Sequence, residues 1–241
     1  MASIKDAFEE AIQDNGALAK YFLFAIPVYY CTNLYLNSDK SELFKFWIAS
    51  AITFIFLFGV LIECTTNVRN GKDSVLPSYN IFNIFWAGIK GLVALGPIIA
   101  INSAIAYFLC NYITNYVAEA NTLLFLRCII CGVFGAIILT GYLCYARTFK
   151  ILDAYNLKAI SNSSMDILIA VIFMIPQILV ADAVLIAPIT YIVWIFFGIP
   201  HSIATFYWCM CLVFNLAMCG HYLAQVAYET IAVKENSDRI I

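Results

Sequence analysis

Apolar residues run through this chain in long blocks separated by short polar breaks, and the blocks have the length of membrane spans. Crossing the hydrocarbon of a bilayer takes about 20 apolar residues. Residues 17–36, 43–63, 88–113, 123–145 and 203–228 each meet that measure. A further run over 165–198 is about 50 Å long if wholly helical at about 1.5 Å per residue, against a hydrocarbon core of about 30 Å. It is too long for one span and too short for two, and Pro176, Asp182 and Pro188 interrupt it. We read it as a fifth span, broken between the prolines, with an outer part that bends along the interface or re-enters. Before the first block, Ile4, Phe8, Ala11 and Ile12 recur at helical spacing, which predicts an amphipathic surface helix over 3–14 within an N-terminal segment of 1–16. A frayed, solvated N-terminus is the alternative.

The longest polar break, Val68–Lys90, reads VRNGKDSVLPSYNIFNIFWAGIK and organises the rest. Asn70-Gly71-Lys72-Asp73 is turn chemistry, and Pro77 disfavours helix at Leu76. From Tyr79 the pattern Ile81, Ile84, Phe85, Gly88 predicts a surface helix that bends into the third span. Tyr79 and Trp86, seven apart, then share a helical face and suit the headgroup region.

Composition strengthens the membrane reading. Hydrophobic residues make up 63% and charged residues 12% of the 241 residues, against about 45–50% and about 25% in soluble domains. The expected fold is an all-α integral membrane protein of about six transmembrane helices with short amphipathic surface helices. One polytopic domain covers 17–228, and 229–241 form a cytoplasmic tail. A net charge of −2 offers no basic field for nucleic acid. The basic residues set the orientation. With both ends inside, the cytoplasmic segments hold Lys5, Lys20, Arg69, Lys72, Lys90, Arg147, Lys150, Lys158, Lys234 and Arg239, leaving Lys40, Lys45 and Arg127 outside, ten against three. Seven spans would put the C-terminal pair outside.

The nine cysteines lie in or beside apolar runs and read as small packing residues, Cys128-x-x-Cys131 included. No nucleophile, phosphate-loop or zinc-protease motif is present, so the reading is non-enzymatic, with no catalytic residue, metal or cofactor. Ionisable groups inside a bilayer are functional candidates. Asp182, between two prolines and near Gln177, is the main one; its alternative place is the wet outer interface. Asn102, Asn111, Asn215, His221 and Gln225 are candidate polar contacts between helices. Gly132, Gly135, Ala136, Thr140 and Gly141 form a small-residue face on the fourth span. Arg69…Ser78-Tyr79-Asn80 and Arg147…Ala154-Tyr155-Asn156 look alike, which marks either a weak internal repeat of about 77 residues or a chance similarity of few residues.

The run Arg69-Asn-Gly71-Lys-Asp-Ser-Val-Leu76-Pro77-Ser-Tyr79, followed by Phe85-Trp86-Ala-Gly88-Ile-Lys90, resembles the cytoplasmic motif of domain-of-unknown-function family four thousand and thirteen, prokaryotic multi-pass membrane proteins. Tyr79 stands where that family usually has tryptophan, and Tyr145-Ala-Arg147-Thr-Phe149 fits its pattern after the fourth span. The resemblance implies a fold and the motif residues Arg69, Gly71, Leu76, Pro77, Tyr79, Trp86 and Gly88, and supplies no chemistry. Two roles stay open: a membrane scaffold or assembly component, partnered by lipid and by a membrane protein or a second copy, and a small permease with its site at the broken fifth span.

Overall fold

Seven α-helices follow one another among the residues described in the computed structural model, which are 2–37, 43–72, 74–117, 119–183, 187–188, 190–192, 198 and 201–232. They are α1 (Ile4–Gln13), α2 (Ala17–Asn37), α3 (Leu43–Arg69), α4 (Ile81–Thr114), α5 (Ala120–Thr148), α6 (Leu157–Ala181) and α7 (His201–Ala227). A 3₁₀ turn, Ile151–Tyr155, precedes α6, and a π-helical turn, Tyr228–Ala232, continues α7. No strand occurs among the described residues. Five helices are long and apolar enough to cross a membrane: α3, α4, α5, α6, and α7 with its π turn. The stretch expected as the first span is helical too. Lys20, Asn33 and four tyrosines dilute α2, and it does not reach the same apolarity. Residues 38–42 between the first two apolar blocks, Asp73, most of the stretch from 184 to 200 and the basic tail with Lys234 and Arg239 lie outside the described residues.

Three elements differ from expectation. The segment after Pro77 and the third span form one unbroken helix of 34 residues, because no helix breaker stands between Ile81 and Pro97. Tyr79 precedes that helix instead of sharing a face with Trp86. α6 starts at Leu157 and runs through Pro176 to Ala181, and Asp182 and Ala183 continue it in π geometry. Neighbouring helix can absorb the missing hydrogen bond of a proline.

The chain forms two compact units. One comprises Ala2–Ile89 and Met174–Gln225, and the other Lys90–Phe173 with the residues from Val226 on. In the first, Phe24, Phe56, Val60, Leu76, Ile84 and Val213 form the core. α3 and the start of α4 approach so closely that a Cβ at Gly59 would fall on the Ile84 carbonyl, and one at Gly88 on the Ile55 carbonyl. Glycine therefore makes the crossing possible. α1 is no free surface helix. Ala7 and Ala11 are fully buried, and Phe8 meets Phe214 edge to face at 5.4 Å. In the second unit, the 3₁₀ turn folds back on α5, where a Cβ at Gly141 would sit 3.0 Å from the Ala154 carbonyl oxygen. The Tyr155 hydroxyl donates to Ala94 O at 2.9 Å.

Candidate functional site

The organising motif is built from the end of α3 outward. Gly71 has φ +62°, the left-handed conformation that ends many helices. Its N–H donates to Val68 O at 3.1 Å, and Lys72 N–H donates to Asn67 O at 3.0 Å. That pair of bonds is a Schellman cap. A Cβ at Gly71 would meet nothing within 4 Å, so the demand for glycine is conformational and not steric. Asn67, itself buried, receives Lys72 Nζ at 2.9 Å and donates through Nδ2 to Val75 O and Leu76 O, each at 3.3 Å. The polar loop is thus fastened to the helix it leaves.

The same loop closes over a buried ion pair. Asp14, just past α1, accepts from Leu76 N–H at 2.6 Å and from Lys20 Nζ at 2.9 Å. Ser74 Oγ lies 2.9 and 2.8 Å from its two oxygens, and accepts from Lys20 Nζ at 2.8 Å. Side-chain exposure is 7% for Lys20 and zero for Asp14. A buried carboxylate is tolerated when its lone pairs are filled in this way. Tyr79 covers the group: its ring lies 6.0 Å from Lys20 Nζ, and a Cβ on Gly16 would come within 2.6 Å of its hydroxyl. Arg69 sits in the last turn of α3, Pro77 is buried, and Trp86 is half exposed. From the sequence, Lys20 counted only toward orientation, and Asp14 and Ser74 were not among the candidate site residues. The available signal was Lys20, a charge within the first turns of an apolar helix, six residues after an acid at a helix end.

A second polar set ties α1 to α7. His221, 2% exposed, places Nε2 2.7 Å from Glu10 Oε2. Its Nδ1 faces Gln225 Nε2 at 3.3 Å, and Gln225 Oε1 accepts from Ser3 N–H at 2.7 Å. A carboxylate only accepts, so the consistent arrangement is a neutral imidazole protonated on Nε2. The expected i, i+4 relation of His221 and Gln225 is present, and both bind across to α1.

Asp182 meets Asn215 of α7, whose Nδ2 is 3.0 Å from each carboxylate oxygen. Asn215 Oδ1 is buried without a partner among the described residues. Gln177 does not join them; it is exposed on α6, because five residues of helix carry it to another face. Asn102 also departs from expectation. Its Nδ2 donates to Ile98 O at 2.8 Å in its own helix, the local bond open to a short amide. Asn111 is exposed on α4. No group of three His, Cys, Asp or Glu side chains suited to a metal occurs among the described residues.

These features define a helical protein with five membrane-length apolar helices and a polar clasp at the α1–α2 and α3–α4 turns. No protein-family model, curated protein or solved structure matches the chain.

Proposed function

We propose that this chain is a six-span protein of the cytoplasmic membrane with both termini inside, acting as a scaffold or assembly component and not as an enzyme. The observation that carries the reading is the bare flank of α5. Only 6% of its most apolar stretch is buried within the chain, against 33% for α7. Within that stretch Gly135 has nothing within 4 Å of the place a Cβ would occupy. Small residues on an uncovered apolar helix let another helix come close. Membership in domain-of-unknown-function family four thousand and thirteen is part of the proposal. Its support is that the motif residues have structural work: Gly71 turns the chain, Leu76 binds Asp14, and Gly88 permits the α3–α4 crossing.

Gly135→Ile tests the partner. Open space around Gly135 means the fold tolerates the larger side chain, so the melting temperature should hold while a copurifying partner, or the dimer in light scattering, is lost. Retention of the same assembly sinks the reading. Orientation is tested by single cysteines in a background without native thiols: Asn121→Cys should react with an impermeant reagent outside intact cells, and Ser74→Cys and Ser161→Cys should not.

The Asp182–Asn215 pair favours a second reading, a carrier with a carboxylate site at the end of α6. In that case Asp182→Asn should fold normally and abolish proton- or cation-coupled uptake. An unmoved melting temperature together with intact uptake removes Asp182 from consideration.

A further inference from the structure

We propose that Cys110 on α4 and Cys131 on α5 are a disulfide-forming pair, a covalent modification site that clamps the outer halves of these two helices together. Two contacts within one unit set the register of these helices. Arg127 Nη2 on α5 donates to Thr114 Oγ1 on α4 at 2.8 Å. Thr114 Oγ1 donates in turn to the Cys110 carbonyl at 2.8 Å. Arg127 is thereby held against the last turn of α4, with Cys110 one turn back from Thr114. Because Arg127 reaches back to a residue 13 positions earlier, α5 returns beside the end of α4, and one turn forward from Arg127 on α5 is Cys131. The register set by the Arg127–Thr114 bond predicts that Cys110 and Cys131 meet. All nine cysteines are free. No third metal-ligating side chain joins the pair among the described residues, which suits a two-sulfur bond better than a closed metal site with four ligands.

Exposure assigns the order of reaction. Cys131 is exposed and Cys110 is half-buried. With a small disulfide as oxidant, such as oxidised glutathione, the Cys131 thiolate attacks one oxidant sulfur, forms a mixed disulfide and releases one thiol. Cys110 gives up its proton and attacks the Cys131 sulfur, forming the Cys110–Cys131 bond and releasing the second thiol. Two protein thiols are oxidised and one disulfide is reduced to two thiols. Cys128, one turn before Cys131 and also exposed, is the competitor.

The experiment uses the full chain in lipid nanodiscs, treated with oxidised glutathione, then thiol titration and peptide mass spectrometry. The expected result is a fall from nine free thiols to seven, a cross-linked peptide joining 110 and 131, and a higher melting temperature that reductant reverses. Cys128→Ala should still lose two thiols on oxidation and keep the 110–131 peptide and the reversible rise in melting temperature. Cys110→Ala should stop at the glutathione adduct on Cys131, and Cys110→Ser repeats that test should the alanine variant fold poorly. A bond between 128 and 131, links only between separate molecules, or a titre that stays at nine in an oxidant that modifies the denatured chain would overturn the proposal.

Discussion

The turn between α3 and α4 and the turn between α5 and α6 follow one local plan and end in different states. Each leaves a helix whose last turn holds an arginine, Arg69 or Arg147, and each has a left-handed residue two positions later, Gly71 at φ +62° and Phe149 at φ +56°. Each then re-enters helix through an asparagine cap. Asn80 Oδ1 accepts from Asn83 N–H at 3.2 Å, and Asn156 Oδ1 accepts from Ala159 N–H at 3.1 Å. Eight residues past each cap a small residue meets the preceding helix: Gly88 against Gly59, and Ser164 Oγ beside Thr140 Oγ1 at 3.2 Å. These correspondences give the suspected repeat a conformational basis beyond its shared Tyr-Asn dipeptide. The difference lies two residues before each arginine. Asn67 has both ends of its amide satisfied, while the buried Tyr145 hydroxyl has no partner among the described residues. The first turn also closes on a buried ion pair, Asp14 with Lys20. The same backbone plan therefore carries a satisfied buried amide in one place and an unpartnered buried hydroxyl in the other.

The largest way to break that contrast is at the ion pair. Asp14→Ala or Lys20→Met leaves a buried charge unmatched and should cost about 3–5 kcal/mol, read as loss of folded yield and a lower melting temperature. Asp14→Leu combined with Lys20→Met should recover most of the loss. Asp153, which accepts from Thr148 at the exposed surface of the second turn, is the control, and Asp153→Ala should change stability by less than about 0.5 kcal/mol. Equal costs at Asp14 and Asp153 would show the first turn to be no special anchor.

Next come the helix crossings. Gly59→Ala and Gly88→Ala drive a methyl group onto a backbone carbonyl, so each should cost about 1–3 kcal/mol or more. Thr140→Val deletes a single hydroxyl contact at the corresponding crossing and should cost about 0.6 kcal/mol, the average for such bonds within membranes. Chemical denaturation in one detergent compares all three, and a silent Gly59→Ala would mean that the crossing is looser than described.

The left-handed residues sharpen the comparison further. Gly71→Ala should cost about 1–2 kcal/mol, since only the backbone conformation resists it. Phe149→Gly relieves a similar strain and loses an edge-to-face contact with Tyr145 at 5.9 Å, itself about 0.5–1.5 kcal/mol, so the net change should be close to zero. The smallest effect is expected from Tyr145→Phe. Removing an unpaired buried hydroxyl should be neutral or slightly stabilising. A clear loss of stability there would reveal a bound water or another partner at that oxygen.

Element type and extent were largely legible in the sequence because hydropathy and helix length are local quantities. The apolar blocks over 17–36, 43–63, 88–113, 123–145 and 203–228 became helices, and Gly71 announced the end of α3 through chemistry that needs no neighbour. α1 was legible as amphipathic from the spacing of Ile4, Phe8 and Ile12. Its surroundings were not, since an apolar face looks the same whether lipid or α7 covers it. Gln177 and Asp182 were close in sequence, yet helical rotation set them on different faces.

By itself, the sequence determined the all-helical class, the polar turns and the glycines that those turns and crossings require. Only the tertiary structure decided which polar groups share a partner. Asp14 and Ser74 are 60 residues apart, and Ser3 and Gln225 are 222 apart. Periodicity reports which way a side chain faces within its own helix, and carries no information on which distant loop comes to meet it. A buried charge is stable only once those distant donors arrive, so the Asp14 clasp exists as a property of the folded chain and of no segment within it.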